Sequence, residues 1–565
     1  MNYVVETFTE DEARALAPYV TNLDRPVFAL RNLPEVTKGA LFARYSRTDK
    51  SLRRVLLDEF LGDDGVRAHA DGDDAAVGTA KAEGLYERVL SDYGDDSVAQ
   101  LGFAHVACEQ VSNVLTKVIE RGRLASYLEQ STRYIAFDDR PGGRYRYALE
   151  PDVAASPLAA DYESTLDAVF SSYAELLARL EAWLQERFPR DPGDPEGVWR
   201  RTLRAKACDA LRGLLPAATV SNVGMAASGQ AYESLLLHLQ THPLAEARAY
   251  GAMLHDELAA VIPAFIKRVR VPERGGVWSD YLAATRDAML RLADEFGLDD
   301  PDAELPAHLQ EGPEAHPEND GVTLMDWDPD AEAKIAAACL YPAARVPDEF
   351  VLARVRALPA EDRARILAAA VGDRGNRRHK PGRGFERVGY RFDVVADYGA
   401  FRDLQRHRMC TVEWQELSPS LGYDLPDLVE EAGMADEFRA TVGRSAALWE
   451  KLRDAGFARQ APYALCLAYR IRFSMQVNAR EAFHLIELRS SAQGHPAYRR
   501  VAQAMHRTIA EVHPAIADAM RFVDYGDVDL ERLEAERRNA AKAAAAATVA
   551  VATGHVGMDE AGDDA

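Results

Sequence analysis

The sequence predicts a protein of mixed helix and strand made of two versions of one unit, on three observations. Arginine-rich stretches with a similar opening recur in the two halves, Arg121-Gly122-Arg123 and Arg406-His407-Arg408. Long runs with apolar residues at helical spacing stand beside one stretch in which Val388, Tyr390, Phe392 and Val394 alternate with Gly389, Arg391 and Asp393, as on a strand with one covered face. Between the halves the chain turns acidic and gains Pro301, Pro306, Pro313 and Pro317, the composition of a solvated linker. The expected boundaries are a first repeat over 25–296, the linker over 297–320, a second repeat over 321–527, and an alanine-rich, acidic end over 528–565.

In order, a short apolar run at Val27–Leu30 precedes helical spacing over 37–46, and a second helix is expected over 79–93, stopped by Gly94. Residues 161–188 carry Leu166, Val169, Phe170, Tyr173, Leu176, Leu177 and Leu180 on one face of a long amphipathic helix. Further helices are expected over 244–269 and 278–296. The second half reopens with a strand-like run at 322–326 and a helix over 331–340, with helical patterns over 427–452 and 497–522. The alanines at 543–547 lead into a tail with no core-forming pattern.

Composition narrows the function classes. At 565 residues the chain exceeds the usual size of one core, so two or more domains are expected. A net charge of −23 argues against a general grip on nucleic acid, so any bound anion must meet a local basic pocket. Cys108, Cys208, Cys339, Cys410 and Cys466 are scattered, which fits a reducing cytoplasm and supports neither a zinc site nor a disulfide framework. No uncharged apolar run is long enough to span a bilayer.

The stretch 121–134 sets two arginines one residue apart and adds Ser126, Glu129, Ser131, Arg133 and Tyr134 within two further helical turns. Guanidinium forks beside hydroxyls and a carboxylate suit a phosphorylated, polar small molecule, because arginine donates bidentately to phosphate. Arg406-His407-Arg408, with Thr411, Glu416 and Ser418, answers it 285 positions later. Asn478 follows Ser228 by 250 positions, as Arg489 follows Leu239, and His495-Pro496 follows His242-Pro243 by 253. Landmark order is kept while the offset falls by 35, a loss that the long helical segment from Asp161 absorbs as an insertion.

Taken singly, these residues have bland readings. Arg133 beside Tyr134 fits a solvated helix end, and Asn478 and Arg480 fit capping and surface positions. Cys410 fits a buried apolar filler. Three adjacent basic groups at 406–408 ask for a nearby anion or acid: a diphosphate, or Glu413 or Glu416 in a structural network.

With these residues in view, both halves resemble flavin-dependent thymidylate synthase. That family's hallmark is Arg-His-Arg, two residues, Ser, then Glu, Ser, one residue, Arg-Tyr. Arg121, Arg123, Ser126, Glu129, Ser131, Arg133 and Tyr134 match at the family's spacing, with Gly122 in place of histidine. The second copy keeps Arg406-His407-Arg408 intact, has Thr411 for serine and delays Glu416 and Ser418; no arginine precedes Tyr423. Asn478-Ala479-Arg480 is similar to the family's flavin-contacting Asn-Ala-Arg, Leu488-Arg489 to its later Leu-Arg, and Arg212 before Leu215-Pro216 to a nucleotide-phosphate arginine.

The resemblance implies an α+β fold of two tandem copies, each a small sheet flanked by long helices, packed as a pseudo-dimer. It implies reductive methylation of dUMP to dTMP with FAD as cofactor and methylenetetrahydrofolate and NADPH as co-substrates. Substrate-binding roles fall on Arg121, Arg123, Ser126, Glu129, Ser131, Arg133, Tyr134, Arg212 and Arg489, of which Ser131 and Arg489 are the catalytic candidates. Flavin-binding roles fall on Arg406, His407, Arg408, Glu416, Asn478 and Arg480. No metal is expected, and two such chains together would reproduce the family's tetramer. The competing readings are a degenerate homologue that binds nucleotide or flavin without turnover, and a helical scaffold that binds neither.

Overall fold

A computed structural model describes residues 6–24, 28, 30–45, 50–61, 100, 102–133, 135–298, 320–526, 529–534, 536–538 and 540–542. The helix expected over 79–93, nearly all of the proline-rich linker, Tyr134 and the alanine run lie outside the described residues. The chain divides into two compact units. One comprises Met1–Gln130, Glu150–Asp152 and Val220–Ala303; the other comprises Ser131–Leu149, Val153–Thr219 and Glu304–Ala565.

The first unit carries an antiparallel sheet of β1 (Phe103–Ser112), β2 (Ala125–Glu129) and β3 (Val220–Ser228), in the order β1-β3-β2. Ser112 ends β1 and caps the helix Asn113–Ile119, its hydroxyl accepting the Leu115 N–H at 3.0 Å. Residues 125–129 form a strand, not the helical turns expected for the motif. Ala125 and Glu129 face inward, and the segment finds its hydrogen bonds along β3 from Ala227 to Val223. Ser228 caps the helix Gly229–Gln240 in the same manner.

The second unit repeats this succession. Its antiparallel sheet comprises β4 (Val322–Trp327), β5 (Gly389–Asp397), β6 (Thr411–Trp414) and β7 (Arg470–Asn478), in the order β4-β5-β7-β6. Asp397 ends β5 and caps Tyr398–Leu404; Asn478 ends β7 and caps Ala479–Arg489. Strand alternation predicts the buried set well: Tyr390, Phe392 and Val394 of β5 lie against Ile471, Phe473, Met475 and Val477 of β7 in one core. Between β2 and β3 the chain inserts the helices Ala159–Arg187 and Glu196–Leu211, where the interval between β6 and β7 holds Asp427–Glu431 and Ala435–Asp454. The first pair of helices, 29 and 16 residues against 5 and 20, takes up 20 of the 35 positions by which the offset falls.

Two contacts inside the second unit join residues of the two sequence halves. Ala159–Arg187 runs antiparallel to Ala435–Asp454, with Asp161 paired to Lys451, Ser172 accepting from Arg444 and Arg179 paired to Glu437. Residues 215–217 meet 465–467 in a short antiparallel bridge.

Three expected helices are interrupted. Pro263 breaks 244–269 after Val261, and Pro514 breaks 497–522 after Val512, because proline supplies no N–H and its ring crowds the preceding turn. Gly433, at φ 69°, interrupts 427–452 in a left-handed conformation that glycine adopts without Cβ strain. No helix among the described residues is long and apolar enough to cross a membrane.

Candidate functional site

The second unit gathers Arg133, Arg212, Arg406 and Arg489 around Asp403, which lies on the helix that Asp397 caps. Arg212 follows directly on the helix Glu196–Leu211 and reaches Asp403 through Nη1 at 3.1 Å. Arg489, at the end of the helix Ala479–Arg489, brings Nη1 to 3.8 Å from the other Asp403 oxygen. Burial works against the charged carboxylate, but Arg212, Arg406, Arg489 and Arg133 outweigh it and hold Asp403 far below the usual carboxylate range.

Arg133 is held by a second acid. Its Nε and Nη2 donate to the two oxygens of Asp209, both at 2.8 Å, and Arg532 donates to Asp209 at 2.7 Å. Burial raises the carboxyl's pKa, while the charge and hydrogen bonds of Arg133, then Arg532, bring it below its ordinary value. Ser131 Oγ accepts the Arg133 N–H at 3.2 Å, which fixes the turn presenting that arginine. Arg133 Nη1 also donates to the Tyr498 hydroxyl at 2.7 Å, and the Arg489 guanidinium carbon stands 5.3 Å from the centre of the same ring.

Arg489 continues the connection to His407. Arginine has only donors, so its Nε, 2.9 Å from His407 Nε2, makes that nitrogen the acceptor and leaves the ring proton on Nδ1, facing Glu481 Oε1 at 3.3 Å. Burial, reinforced by the Arg489 charge, lowers the His407 pKa to about 4 despite the Glu481 hydrogen bond. Glu481, although desolvated, is brought to about 2 by hydrogen bonds from His407 and His484. Arg133, Tyr498, Arg489, His407 and Glu481 thus form one chain of contacts from the motif that ends at Arg133 to the Arg406–Arg408 motif and the helix that follows Asn478.

His407, Glu481 and His484 offer ligand atoms within 4.8 Å of one another, a spacing that suits a metal ion. The Arg489 hydrogen bond opposes that use. It keeps the proton on His407 Nδ1, the nitrogen a metal would need as a lone pair.

The remaining sequence-predicted residues fall into two groups. Arg121, Arg123, Ser126 and Glu129 belong to the first unit, the first three exposed on its surface. Glu129 is buried and, with Glu120, holds the buried Lys117 ammonium at 3.2 and 2.5 Å. In the second unit, Asn478 accepts the Glu481 N–H at 2.9 Å as a helix cap. Arg480 donates to the Pro381 carbonyl at 2.9 Å and lies 3.3 Å from Glu386. Arg408 and Glu416 are exposed. The acid beside His407 is Glu481, from the helix after β7; neither nearby candidate, Glu413 nor Glu416, takes that place.

A cavity of about 660 Å³ opens beside the cluster, lined by Arg212, Asp397, His495 and Arg500 among others. None of Arg406, His407, Arg408, Glu416, Asn478 and Arg480, the residues expected to hold a flavin, lines it. Burial and the charge of Arg212 hold the His495 imidazole well below its ordinary pKa. Its Nε2 lies 3.0 Å from the Asp209 carbonyl and its Nδ1 accepts the Ala497 N–H, so the neutral ring carries its proton on Nε2.

Sequence reasoning missed Asp209, Asp403, Tyr498, Glu481 and Arg532. A usable signal existed for two of them: Asp209 and Asp403 each stand three residues before a motif arginine, Arg212 and Arg406.

The comparisons bear out the family resemblance. A family model described as thymidylate synthase complementing protein matches residues 45–264 and 323–515. A UPF0159 protein of Chlamydia muridarum is 39% identical over 530 residues, covering 93% of this chain and 97% of its own. A UPF0159 protein of Thermoplasma acidophilum is 30% identical over 531 residues, 88% of this chain and 98% of its own. A flavin-dependent thymidylate synthase of a Mycobacterium species is 31% identical over 182 residues, 32% of this chain and 67% of its own. A solved structure of a UMP/dUMP methylase, PolB from Streptomyces cacaoi bound with 5-Br dUMP, is 19% identical over 35% of this chain and 94% of its own, with a TM-score of 0.29. Since the family model spans segments of both halves, more than half of the sequence, the chain belongs to the thymidylate synthase complementing protein family.

Proposed function

We propose that the chain binds dUMP by its phosphate at the arginine cluster and serves its reductive methylation to dTMP, with FAD as cofactor and methylenetetrahydrofolate and NADPH as co-substrates. The observation that carries the nucleotide reading is the convergence of Arg133, Arg212, Arg406 and Arg489 in a chain of net charge −23. With Arg532 added, these cations outnumber Asp209 and Asp403, and a phosphate dianion supplies the missing negative charge. Ser131 and Arg489, which bracket Arg133 and Tyr498, are the proposed catalytic positions, with Arg212 on the phosphate.

The flavin reading rests on the family and on Arg406-His407-Arg408 with Asn478-Ala479-Arg480. Within the chain, His407, Asn478 and Arg480 are engaged with Arg489, Glu481, Pro381 and Glu386, so they do not by themselves shape a flavin cradle. A tandem pair of copies packed about a pseudo-dyad, with a second chain completing the site, is the proposed assembly; the bridge between 215–217 and 465–467 supports it.

A nucleotide-binding homologue without turnover is the second reading. It is favoured by the engagement of Glu129 with Lys117 and of Arg133 with Asp209. Purified protein tests both. If it is yellow, releases FAD on denaturation and rescues a thymidine auxotroph, the enzyme reading holds. Colourless protein that binds dUMP leaves the second reading, and protein that binds neither FAD nor dUMP removes both.

A further inference from the structure

Arg212 uses one nitrogen on Asp403 and leaves its side-on fork over. Nε and Nη2 are buried with no hydrogen-bond partner, and the side chain, 4% exposed, lines the 660 Å³ cavity. A buried fork of two unpaired N–H groups is costly unless an oxyanion fills it. Beside it stands a second orphan. Asp397 Oδ1 accepts the Ala400 N–H at 2.9 Å as a helix cap, but Oδ2 is buried without a partner, and Asp397 lines the same cavity.

Gly399 lets the two approach. A β-carbon there would stand 2.9 Å from Asp397 Oδ1 and 3.1 Å from Arg212 Nε, so any larger residue would fill the space between them. The corresponding residue 285 positions earlier is Ser112, which caps its helix with a single oxygen. Capping does not require the second oxygen of Asp397.

We propose that Asp397 completes the oxyanion site opened by Arg212 and takes up a proton when a phosphate group settles there, becoming its hydrogen-bond donor. The proposal deepens the nucleotide reading above and rests on it. An ionised carboxylate beside a bound phosphate would repel it in a desolvated pocket, whereas one shared proton turns the repulsion into a hydrogen bond. The group is already disposed to this: burial lifts Asp397 to about 6, against the opposing charge of Arg212. The other charged groups facing Asp397 are Arg500 from the helix Pro496–Val512, Asp424 with its partner Arg470, and Asp320. His495, on the same cavity, is held neutral by the contacts given above.

The test is calorimetric titration of the full-length protein with sulfate and with dUMP between pH 6 and 8, in buffers of different ionisation enthalpy. Sulfate does not titrate in this range, so a proton taken up on its binding belongs to the protein. Wild type should take up close to one proton per sulfate at pH 7.5, and its sulfate affinity should rise nearly tenfold per pH unit on going from 8 to 7. Asp397→Ser keeps a capping oxygen and should bind without proton uptake. Asp397→Asn imitates the protonated carboxyl, and should bind sulfate at pH 8 about as well as wild type does at pH 6. Wild type that binds with no proton uptake, or Asp397→Ser that takes up the same proton, overturns the proposal while leaving nucleotide binding intact. Wild type that binds neither ligand overturns the nucleotide reading and this site together.

Discussion

Pro216 and Cys466 sit opposite each other in an antiparallel bridge, with the Ala217 N–H donating to Leu465 O at 2.7 Å and the Leu467 N–H to Leu215 O at 2.8 Å. They are also 250 positions apart, the offset that separates Ser228 from Asn478. The central pair thus meets its own counterpart by sequence phase, and Leu215 and Ala217 face each other's counterparts, Leu467 and Leu465, on either side of it. Cys466 is wholly buried here, its thiol 3.1 Å from the Leu214 carbonyl, and burial pushes its pKa up to about 12. A thiol reagent should leave Cys466 unmodified in the native protein and react with it only after denaturation. Cys466→Phe has no room to expand and should cost ~1–3 kcal/mol, read as a lower urea midpoint.

Asp403 holds arginines from both sequence halves, and removing its charge should be felt in stability and in binding. Asp403→Asn keeps an acceptor for Arg212 but leaves Arg212, Arg406 and Arg489 without their shared counter-charge. A loss of about 3 kcal/mol in urea unfolding is expected, the low end for breaking a buried pair. If the arginines hold phosphate as proposed, this variant should bind dUMP with altered affinity while Arg408→Ala, at an exposed position, binds as wild type. Equal dUMP affinity in wild type and Asp403→Asn would remove Asp403 from the site.

Much of the framework was legible because it depends on near neighbours. The alternation at 388–394 appears as β5, the apolar face from Leu166 to Leu180 is buried on one helix, and both caps at the ends of β3 and β7 fall where the motif phase puts them. What escaped depends on residues far apart in the chain. Ala125–Glu129 is five residues long, too short for its alternation to outweigh the helical reading until β3 lies alongside. The acids were harder still: Asp209 meets Arg532 across 323 positions, and Glu481 meets His407 across 74. An isolated aspartate carries no mark of the arginine it will neutralise, although its place one helical turn before a motif arginine is a clue.

Lys117 offers a prediction in the first unit. Its ammonium and the carboxylates of Glu120 and Glu129 are all at most 1% exposed, so the charges stabilise one another instead of being hydrated. Lys117→Met should leave two buried carboxylates without that cation and cost ~3–5 kcal/mol. Lys117→Met combined with Glu120→Gln and Glu129→Leu should recover a large part of that loss. Thermal melts of the two variants check it, and a triple variant no more stable than the single one would show that the ions are not the origin of the defect.

His407 makes the fold sensitive to mild acid, and the sign follows from its environment. Its ordinary pKa is near 6.5, whereas burial and Arg489 hold it to about 4 in the folded protein. Between these values the unfolded chain carries a proton on this residue that the folded chain does not. Unfolding therefore takes up a proton, and stability is lost as pH falls from 6.5 to 4. The His407 contribution present above pH 6.5 should decline by up to ~3 kcal/mol over that window. Asp397, lifted to about 6, acts in the opposite sense, because the folded chain holds its proton more tightly there. His407→Gln keeps a neutral side chain able to accept from Arg489 and donate toward Glu481, and removes the titration. Urea unfolding at pH 7 and pH 5 should therefore show a smaller stability difference in His407→Gln than in wild type, and an unchanged difference would mean that His407 is already protonated in the folded chain at pH 5.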